Sequence, residues 1–537
     1  MIQITELRLP ISHSIEDLLS AIIHKLKIPE IDLIRHDIFK RSHDARKNSE
    51  LSLIYTINAS VKDEEKVLHS LVNDPYIRLA PDTSYHYVAK APSQMKLRPV
   101  VIGLGPCGLF SALILAQMGF NPIVLERGKQ VRERTQDTWG LWRKNILNPE
   151  SNVQYGEGGA GLFSDGKLYS QIKDPKFYGR KVIQEFIKAG APPEILYVSK
   201  PHIGTFRLVG IVEKMREEII RLGGEIRFSQ RVTDFYIKNQ QITGLQLASG
   251  EVLEADHVVL ALGHSSRDTL VALEKAGVYL EAKPFSVGFR IEHPQSIIDQ
   301  ARLGPHAGNE IIGAADYKLV HHASNGRAVY SFCMCPGGTV VAAASEPNHL
   351  VTNGMSQYSR NERNANAAIV VSVTPEDYPG GPLAGIEFQR ELESKAFDLG
   401  GQNYEAPGQL VGDFLVGRAS SEFKTVIPSY QPGVHLTDLS TSLPSFAIEA
   451  IREALPMFEK KIKGFSMNDA ILTGVETRTS SPVRITRGLD YQSLNIKGLY
   501  PAGEGAGYAG GILSAGVDGI RVAEAVAQDY SNSFASK

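Results

Sequence analysis

The sequence predicts an α/β chain: a Rossmann-like doubly wound fold, an inserted mainly β domain, and a small α+β domain in front. Three stretches carry that reading. Val100-Val101-Ile102 reads as a buried strand that runs straight into Gly103-x-Gly105-x-x-Gly108 and a helical run from Leu109. A second apolar strand, Val258 to Gly263, has the character of a return strand in the same parallel sheet. A third strand followed by a glycine-rich turn and a helix closes the chain from Gly498 onward. Strands buried on both faces by helices read as continuous apolar runs, which is what these are.

The first motif has a mechanical explanation. Gly103 permits the tight turn, Gly105 lets backbone approach a pyrophosphate, and Gly108 lets the helix pack on the strand. The N-terminus of that helical run, with Pro106 in the turn before it, then turns free N–H groups toward phosphate. After Gly119 a second strand, Pro122 to Leu125, ends on Glu126, roughly 20 residues on, where an acid accepts from an adenosine ribose. Arg127 follows it at the same strand end. The spacing predicts a dinucleotide site.

Composition bounds the alternatives. The 537 residues suffice for two or three domains, and 42% hydrophobic with 22% charged is ordinary for a globular protein. A net charge of -2 gives no global field to attract nucleic acid or anionic lipid. Cys107, Cys333 and Cys335 are too few for a secreted disulfide framework. Val100 to Phe120 is uncharged and long, but its glycines and Pro106 break it where a strand must become a helix. No membrane span and no signal peptide are expected, and the expected location is cytoplasmic.

Residues 1–92 read as a unit of their own. Ile2 to Leu9 alternates as a strand, and Ser14 caps a helix through Leu18, Leu19, Ile22 and Ile23. Ile31 to Phe39 and Leu51 to Ala59 read as strands around a polar turn, Ser42 to Ser49. Asp63 opens a second helix, and a strand near Tyr85 to Val88 would close a ferredoxin-like βαββαβ unit. Lys40, Arg41, His43, Arg46 and Lys47 make a basic cluster at the turn. It is either an RNA or protein contact or a solvated loop interleaved with Asp37, Asp44 and Glu50. Ala91 to Gln94 reads as a linker, so removal of residues 1–92 is expected to leave a folded remainder.

Residues 93–283 form the first part of the nucleotide-binding domain. Arg132 to Asn145 is helical, with Trp139 and Trp142 spaced to share a face. Five glycines crowd Tyr155 to Gly166, among them Gly158, Gly159 and Gly161, which excludes helix and central strand. Such a loop brings backbone to a ligand, with Ser164, Asp165 and Lys167 as polar reach; the alternative is a surface loop, for which Leu162 and Phe163 are poor choices. Helices at Lys181 to Ala189 and Val209 to Arg221 precede a β meander that contains Val232. From 284 to 465 short strands broken by Gly, Pro and Asn give the inserted, mainly β substrate domain. Residues 466–537 return to the nucleotide fold, where Gly503, Glu504, Gly510, Gly511 and Ile512 are placed to contact a cofactor, with Gly263 at the end of the middle strand.

These motifs together resemble flavoproteins with the glutathione-reductase-type FAD-binding fold. More closely, the chain is similar to a group of largely uncharacterised bacterial FAD-dependent dehydrogenases. The matching stretches are Gly156 to Gly161, Cys333-Met334-Cys335-Pro336-Gly337-Gly338, Asn353 to Ser356, Glu476 to Arg484 and Gly503 to Gly507. The resemblance implies a non-covalent FAD but names no substrate. Glu504 departs from the generic pattern, where an aspartate is commoner.

The flavin would supply the redox chemistry, so the sequence must show what else acts. No second strand–GxGxxG–helix unit lies between residues 150 and 500, which leaves NAD(P)H only transient binding. Cys333 and Cys335, two apart on a strand, would face one side. They are either a redox dithiol or two small core residues. Arg478 and Arg484 flank Ser480-Ser481-Pro482 and would clamp a substrate anion, or else pair structurally with Glu476; Lys167 is a third cation. The first reading is an FAD-dependent oxidoreductase for a small or prenyl-like organic substrate. A flavin-dependent RNA-modifying enzyme and a non-catalytic flavin-binding regulator are the alternatives.

Overall fold

Five three-residue strands form an all-parallel sheet in a computed structural model that describes residues 1–44 and 51–535. In space they run Glu225–Arg227, Ile123–Leu125, Val100–Ile102, Val258–Leu260 and Leu499–Pro501. The three central strands and Leu499–Pro501 are buried at every position because both faces are covered. Val101, Val124 and Val259 turn toward the helices, whereas Val100, Ile102 and Leu125 turn to the opposite side, with Phe235, Leu245, Leu270 and Leu273. The stretch Val100 to Phe120 is therefore a strand, a turn and the helix Pro106–Gln117. Among the described residues no helix is long and apolar enough to cross a membrane.

Helix Pro106–Gln117 packs against the C-terminal helix Ile512–Ala535 at very short range. A Cβ on Gly519 would stand 2.3 Å from the Cys107 carbonyl oxygen, and Ser111 donates to the Gly519 carbonyl at 3.0 Å. Cys107 is thus a small side chain at a helix crossing.

The inserted region builds a seven-stranded sheet. Its order is Val320–His322, Ala328–Cys335, Asn364–Val373, Phe285–Pro294, Ile471–Glu476, Ala406–Leu410 and Val434–Leu436, antiparallel except for the last pair. The sheet runs past the expected boundary at 465, because Ile471–Glu476 pairs with Phe285–Pro294. Chain crosses back to the nucleotide fold through Leu280–Ala282 paired with Val483–Ile485.

The front unit is a four-stranded antiparallel sheet ordered Leu33–Asp44, Ser52–Val61, Ile2–Pro10, Ile77–Leu79. Ser14 and Asp17 form a reciprocal capping box on helix Ile15–Leu26. The fourth strand is Ile77–Leu79 rather than Tyr85 to Val88. Tyr85 and Tyr87 have other partners: Tyr85 donates to Glu524 at 3.0 Å, and Lys181 lies over both rings at 4.9 and 5.3 Å. Lys40, Arg41 and His43 stand on the strand Leu33–Asp44, while Arg46 and Lys47 lie outside the described residues. Arg41 docks that strand on the body through backbone bonds with Tyr197 and Ser199, at 2.6 and 2.9 Å. Trp139 and Trp142 do not share a buried face. Trp142 is buried and donates to the Ala342 carbonyl at 2.9 Å, whereas Trp139 is exposed beneath Arg143.

The linker is therefore not a neutral cutting point, since Ala91 donates to the Met118 carbonyl at 2.9 Å. Removing residues 1–80 should leave a folded protein. Removing 1–92 strips both tyrosines from Lys181 and Glu524 and should lower the thermal midpoint further. Equal midpoints for the two truncations would contradict this packing.

Candidate functional site

The turn after Val100–Ile102 is fixed by backbone crowding. Gly103 has φ +98°, and a Cβ there would meet the Ala261 carbonyl oxygen at 2.3 Å. A Cβ on Gly108 would meet the Gly103 oxygen at 1.9 Å, so helix and turn touch backbone to backbone. Gly105 is different: its Cβ would find no protein atom closer than 3.6 Å. Gly105 is also the N-cap of helix Pro106–Gln117 and no side chain caps that end. The first helical N–H groups are left for an anion.

Glu126 ties this turn to the glycine loop. Its carboxylate accepts from Leu104 N at 2.8 Å and from Gly128 N and Gly156 N, both at 2.9 Å. Gly158 N returns to the Leu104 carbonyl at 2.8 Å, and a Cβ on Gly159, at φ +60°, would stand 2.7 Å from Gly105 Cα. The sequence does not announce what supports this loop. Arg134, fully buried, donates to the carbonyls of Asn152 (2.8 Å), Val153 (2.7 Å) and Glu157 (2.7 Å). Burial brings its guanidinium down to about 10 against the pull of Glu126 and Glu157. Glu157 in turn accepts from Val131 N and Arg216, both at 2.8 Å.

The three glycine turns open onto one cavity of about 640 Å³, a volume typical of ligand sites. Gly103, Gly105, Pro106, Glu126 and Val232 line one end, and Gly159 and Gly161 its side. Gly263, Glu504, Gly510, Gly511 and Ile512 line it as well; at Gly263 and Gly511 an added Cβ would meet nothing. Gly108, Gly158 and Gly503 stand behind this wall. Gly503 N donates to Asp518 at 2.7 Å, and its positive φ serves the turn. Arg127 borders the cavity with its charge already used, bonded to Glu150 at 3.0 Å and Asp268 at 2.8 Å and lying 4.0 Å over the Tyr155 ring. These features fit a dinucleotide: open backbone donors, a cradle that side chains would fill, and an acid at the strand end.

Lys167, Cys333 and Arg478 line the same cavity, while Cys335 lies fully buried behind it. Strand alternation does not place the two thiols, because pairing breaks between Phe332 and Cys335 and Cys333 sits at φ +45°. A left-handed non-glycine residue costs on the order of 1–3 kcal/mol. The bend brings Cys335 Sγ to 3.3 Å from the Cys333 carbonyl oxygen. The neighbouring Cys335 thiol holds the Cys333 thiol below its usual range, helped by Arg290 and Lys167 against burial. Burial lowers the Lys167 ammonium, but Asp165 and the cysteines more than offset it and keep it charged.

Arg478 is not a free clamp, and its partner is not Glu476. It bonds Glu393 at 3.0 and 2.8 Å, Ser265 at 3.0 Å and Ser345 at 2.6 Å. Glu393 also takes Arg267 at 2.7 Å, and the two arginines hold its carboxyl far below the usual range despite burial. Glu476 instead pairs with Arg290 at 2.9 Å. Arg484 lies beside Tyr508 rather than in the cavity wall. His264 lines the cavity and is held neutral, brought down to about 3 by burial and by Arg478 and Arg267. Glu504 is raised by burial to about 8, with Lys283 opposing.

A family model described as "FAD-dependent protein, C-terminal domain-like" matches residues 284–479, and one described as a domain of unknown function matches 1–60. An uncharacterised protein of Clostridium beijerinckii is 48% identical over 531 residues, 98% of this chain and 99% of its own. Among solved structures, 3-ketosteroid-Δ4-(5α)-dehydrogenase from Rhodococcus jostii aligns with 82% of this chain and 99% of its own at 12% identity and TM-score 0.36. Glycine oxidase from Bacillus cereus aligns with 81% and 96% at 12% identity and TM-score 0.31. L-proline dehydrogenase from P. horikoshii aligns with 80% and 93% at 13% identity and TM-score 0.34.

Glu504 gives a pH test. Its folded value lies above the unfolded value of about 4.3, so folding favours the protonated acid. The stability this contributes is present below about 4.3 and is lost as pH rises through about 8. In the cofactor-free protein, the stability of wild type relative to Glu504→Gln should fall across that window. A flat or rising difference would contradict the buried acid.

Proposed function

We propose that this chain, which belongs to one family with the uncharacterised Clostridium beijerinckii protein, is an FAD-dependent oxidoreductase for a small organic substrate. FAD is the cofactor. The observation that carries the reading is that one cavity joins three glycine turns of a parallel sheet to a set of proton-holding side chains. The Gly103–Gly108 turn and the helix behind it would hold the pyrophosphate, in the glutathione-reductase-type arrangement. Glu126 and Val232 would flank the adenosine end. Gly510, Gly511 and the start of helix Ile512–Ala535 would approach the flavin end.

When bound, FAD supplies hydride and electron transfer. The chain's own residues position and exchange protons. Glu504, raised by burial, holds a proton near neutral pH and donates from its carboxyl into the cavity. Lys167 places a fixed positive charge against the Met334 carbonyl, at the same wall as Cys333. Arg478 acts through Ser265 and Ser345 as a positioning residue. Among the described residues the five-stranded sheet is the only all-parallel one, so a pyridine nucleotide donor would come and go through the cavity mouth rather than occupy its own domain.

The purified protein should be yellow and release FAD on heat denaturation, and anaerobic addition of NADH or NADPH should bleach the flavin absorbance with one of the two. Release of FMN, or a colourless protein that ignores added FAD, would overturn the reading. Gly105→Val should keep the fold, since a Cβ there meets no protein atom closer than 3.6 Å, yet lose bound flavin. Retained flavin in that variant would contradict the placement of the pyrophosphate.

A further inference from the structure

Two cations reach the carbonyls of the Cys333–Cys335 turn, Arg290 from its pair with Glu476 and Lys167 from beside Asp165. Arg290 Nη1 donates to the Cys333 carbonyl at 2.9 Å and Lys167 Nζ donates to the Met334 carbonyl, so successive peptides of the turn each carry a cation. Cys333 borders the 640 Å³ cavity, and Cys335 sits directly behind it with Sγ 3.3 Å from the Cys333 carbonyl oxygen. The left-handed backbone at Cys333 interrupts the pairing of its strand between Phe332 and Cys335, so Cys333 bulges out of a ladder that resumes at Cys335 with Asn366. Both thiols are free, and both have been brought to one bend.

We propose that this turn is an oxidation site, at which a hydroperoxide entering the cavity oxidises Cys333 and Cys335 then closes a disulfide with it. In the first step the Cys333 thiolate attacks a peroxide oxygen. An S–O bond forms, the O–O bond breaks, and sulfur is oxidised to a sulfenic acid while the peroxide is reduced and leaves as hydroxide or alkoxide, which takes up the proton that the Cys333 thiol released on forming the thiolate. In the second step the Cys335 sulfur displaces the sulfenic oxygen, forming the S–S bond and releasing water with the thiol proton. The hydroperoxide is the sole oxidant and accepts two electrons. Three features suit the site to this chemistry: a cavity-facing thiol, cations at its peptides, and a second thiol at the same bend. The third cysteine, Cys107, is buried at a helix crossing and takes no part. The inference does not depend on the proposed substrate or on turnover.

The test uses the full-length protein as purified, with bound flavin recorded for each sample so that loss of cofactor and loss of thiols are read separately. After hydrogen peroxide near equimolar to protein, alkylation of the denatured chain should find Cys333 and Cys335 lost together and Cys107 intact. The peptide spanning them should be lighter by two hydrogens. Cys335→Ser should stop at the sulfenic acid and give a dimedone adduct at Cys333, whereas Cys333→Ser should leave Cys335 unoxidised. Lys167→Met should slow the loss several-fold. Survival of both thiols, prior oxidation of Cys335 or Cys107, or no dimedone adduct in Cys335→Ser would overturn the proposal; the wild-type measurement decides it even if the variants fail to fold.

Discussion

The structure depends on one carboxylate. Glu126 accepts three backbone N–H groups, one from the nucleotide turn, one from its own strand end and one from the glycine loop. Each is a charge-assisted bond in a buried setting, where such bonds are stronger than neutral ones. They draw Gly105 and Gly159 so close that neither loop could approach the other with a Cβ on Gly159. The cavity begins at this approach. Arg134 completes it from beneath by taking up carbonyls that a loop without secondary structure would otherwise leave unpaired.

A second constraint joins the nucleotide fold to the inserted sheet. Arg267 on the helix after the return strand, Glu393 on helix Ala384–Leu399, and Arg478 just past Ile471–Glu476 form a buried charge cluster extended by Glu346. Removing one partner of such a set typically costs about 3–5 kcal/mol, because it strands a buried charge. Its geometric consequence matters more here. It ties Ser265, in the cavity wall, to Ser345 of the inserted region through Arg478, and so joins the inserted strands to the nucleotide turns.

What the sequence made legible follows from physics that is local. Backbone approach demands glycine, so Gly103, Gly105, Gly108, Gly159 and the Gly510-Gly511 pair announced themselves, and continuous apolar triplets announced the parallel strands. The capping of Ser14 is likewise local. Pairings across long stretches of chain were not legible. Arg267 and Glu393 lie 126 positions apart, and Tyr85 and Glu524 lie 439 apart. No spacing rule joins them, so the sequence offers Arg478 a substrate anion or the nearby Glu476 but not Glu393, and its pattern puts the closing strand near Tyr85 to Val88 rather than at Ile77–Leu79. Cys333 shows a third kind of miss. Alternation along a strand presumes regular backbone, and a single left-handed residue removes that premise.

The cavity wall combines two chemistries, the open backbone of the glycine turns and the side chains of Cys333, Lys167 and Glu504. Under the proposed reading, that difference sets which way the cofactor lies. The most direct test is a crystal structure of the flavin-loaded protein. The account predicts the adenosine beside Glu126 and Val232, the pyrophosphate on the Gly103–Gly108 turn, and the isoalloxazine ring in contact with the Cys333 and Glu504 walls. A flavin bound in the reverse direction, or outside this cavity, would contradict it.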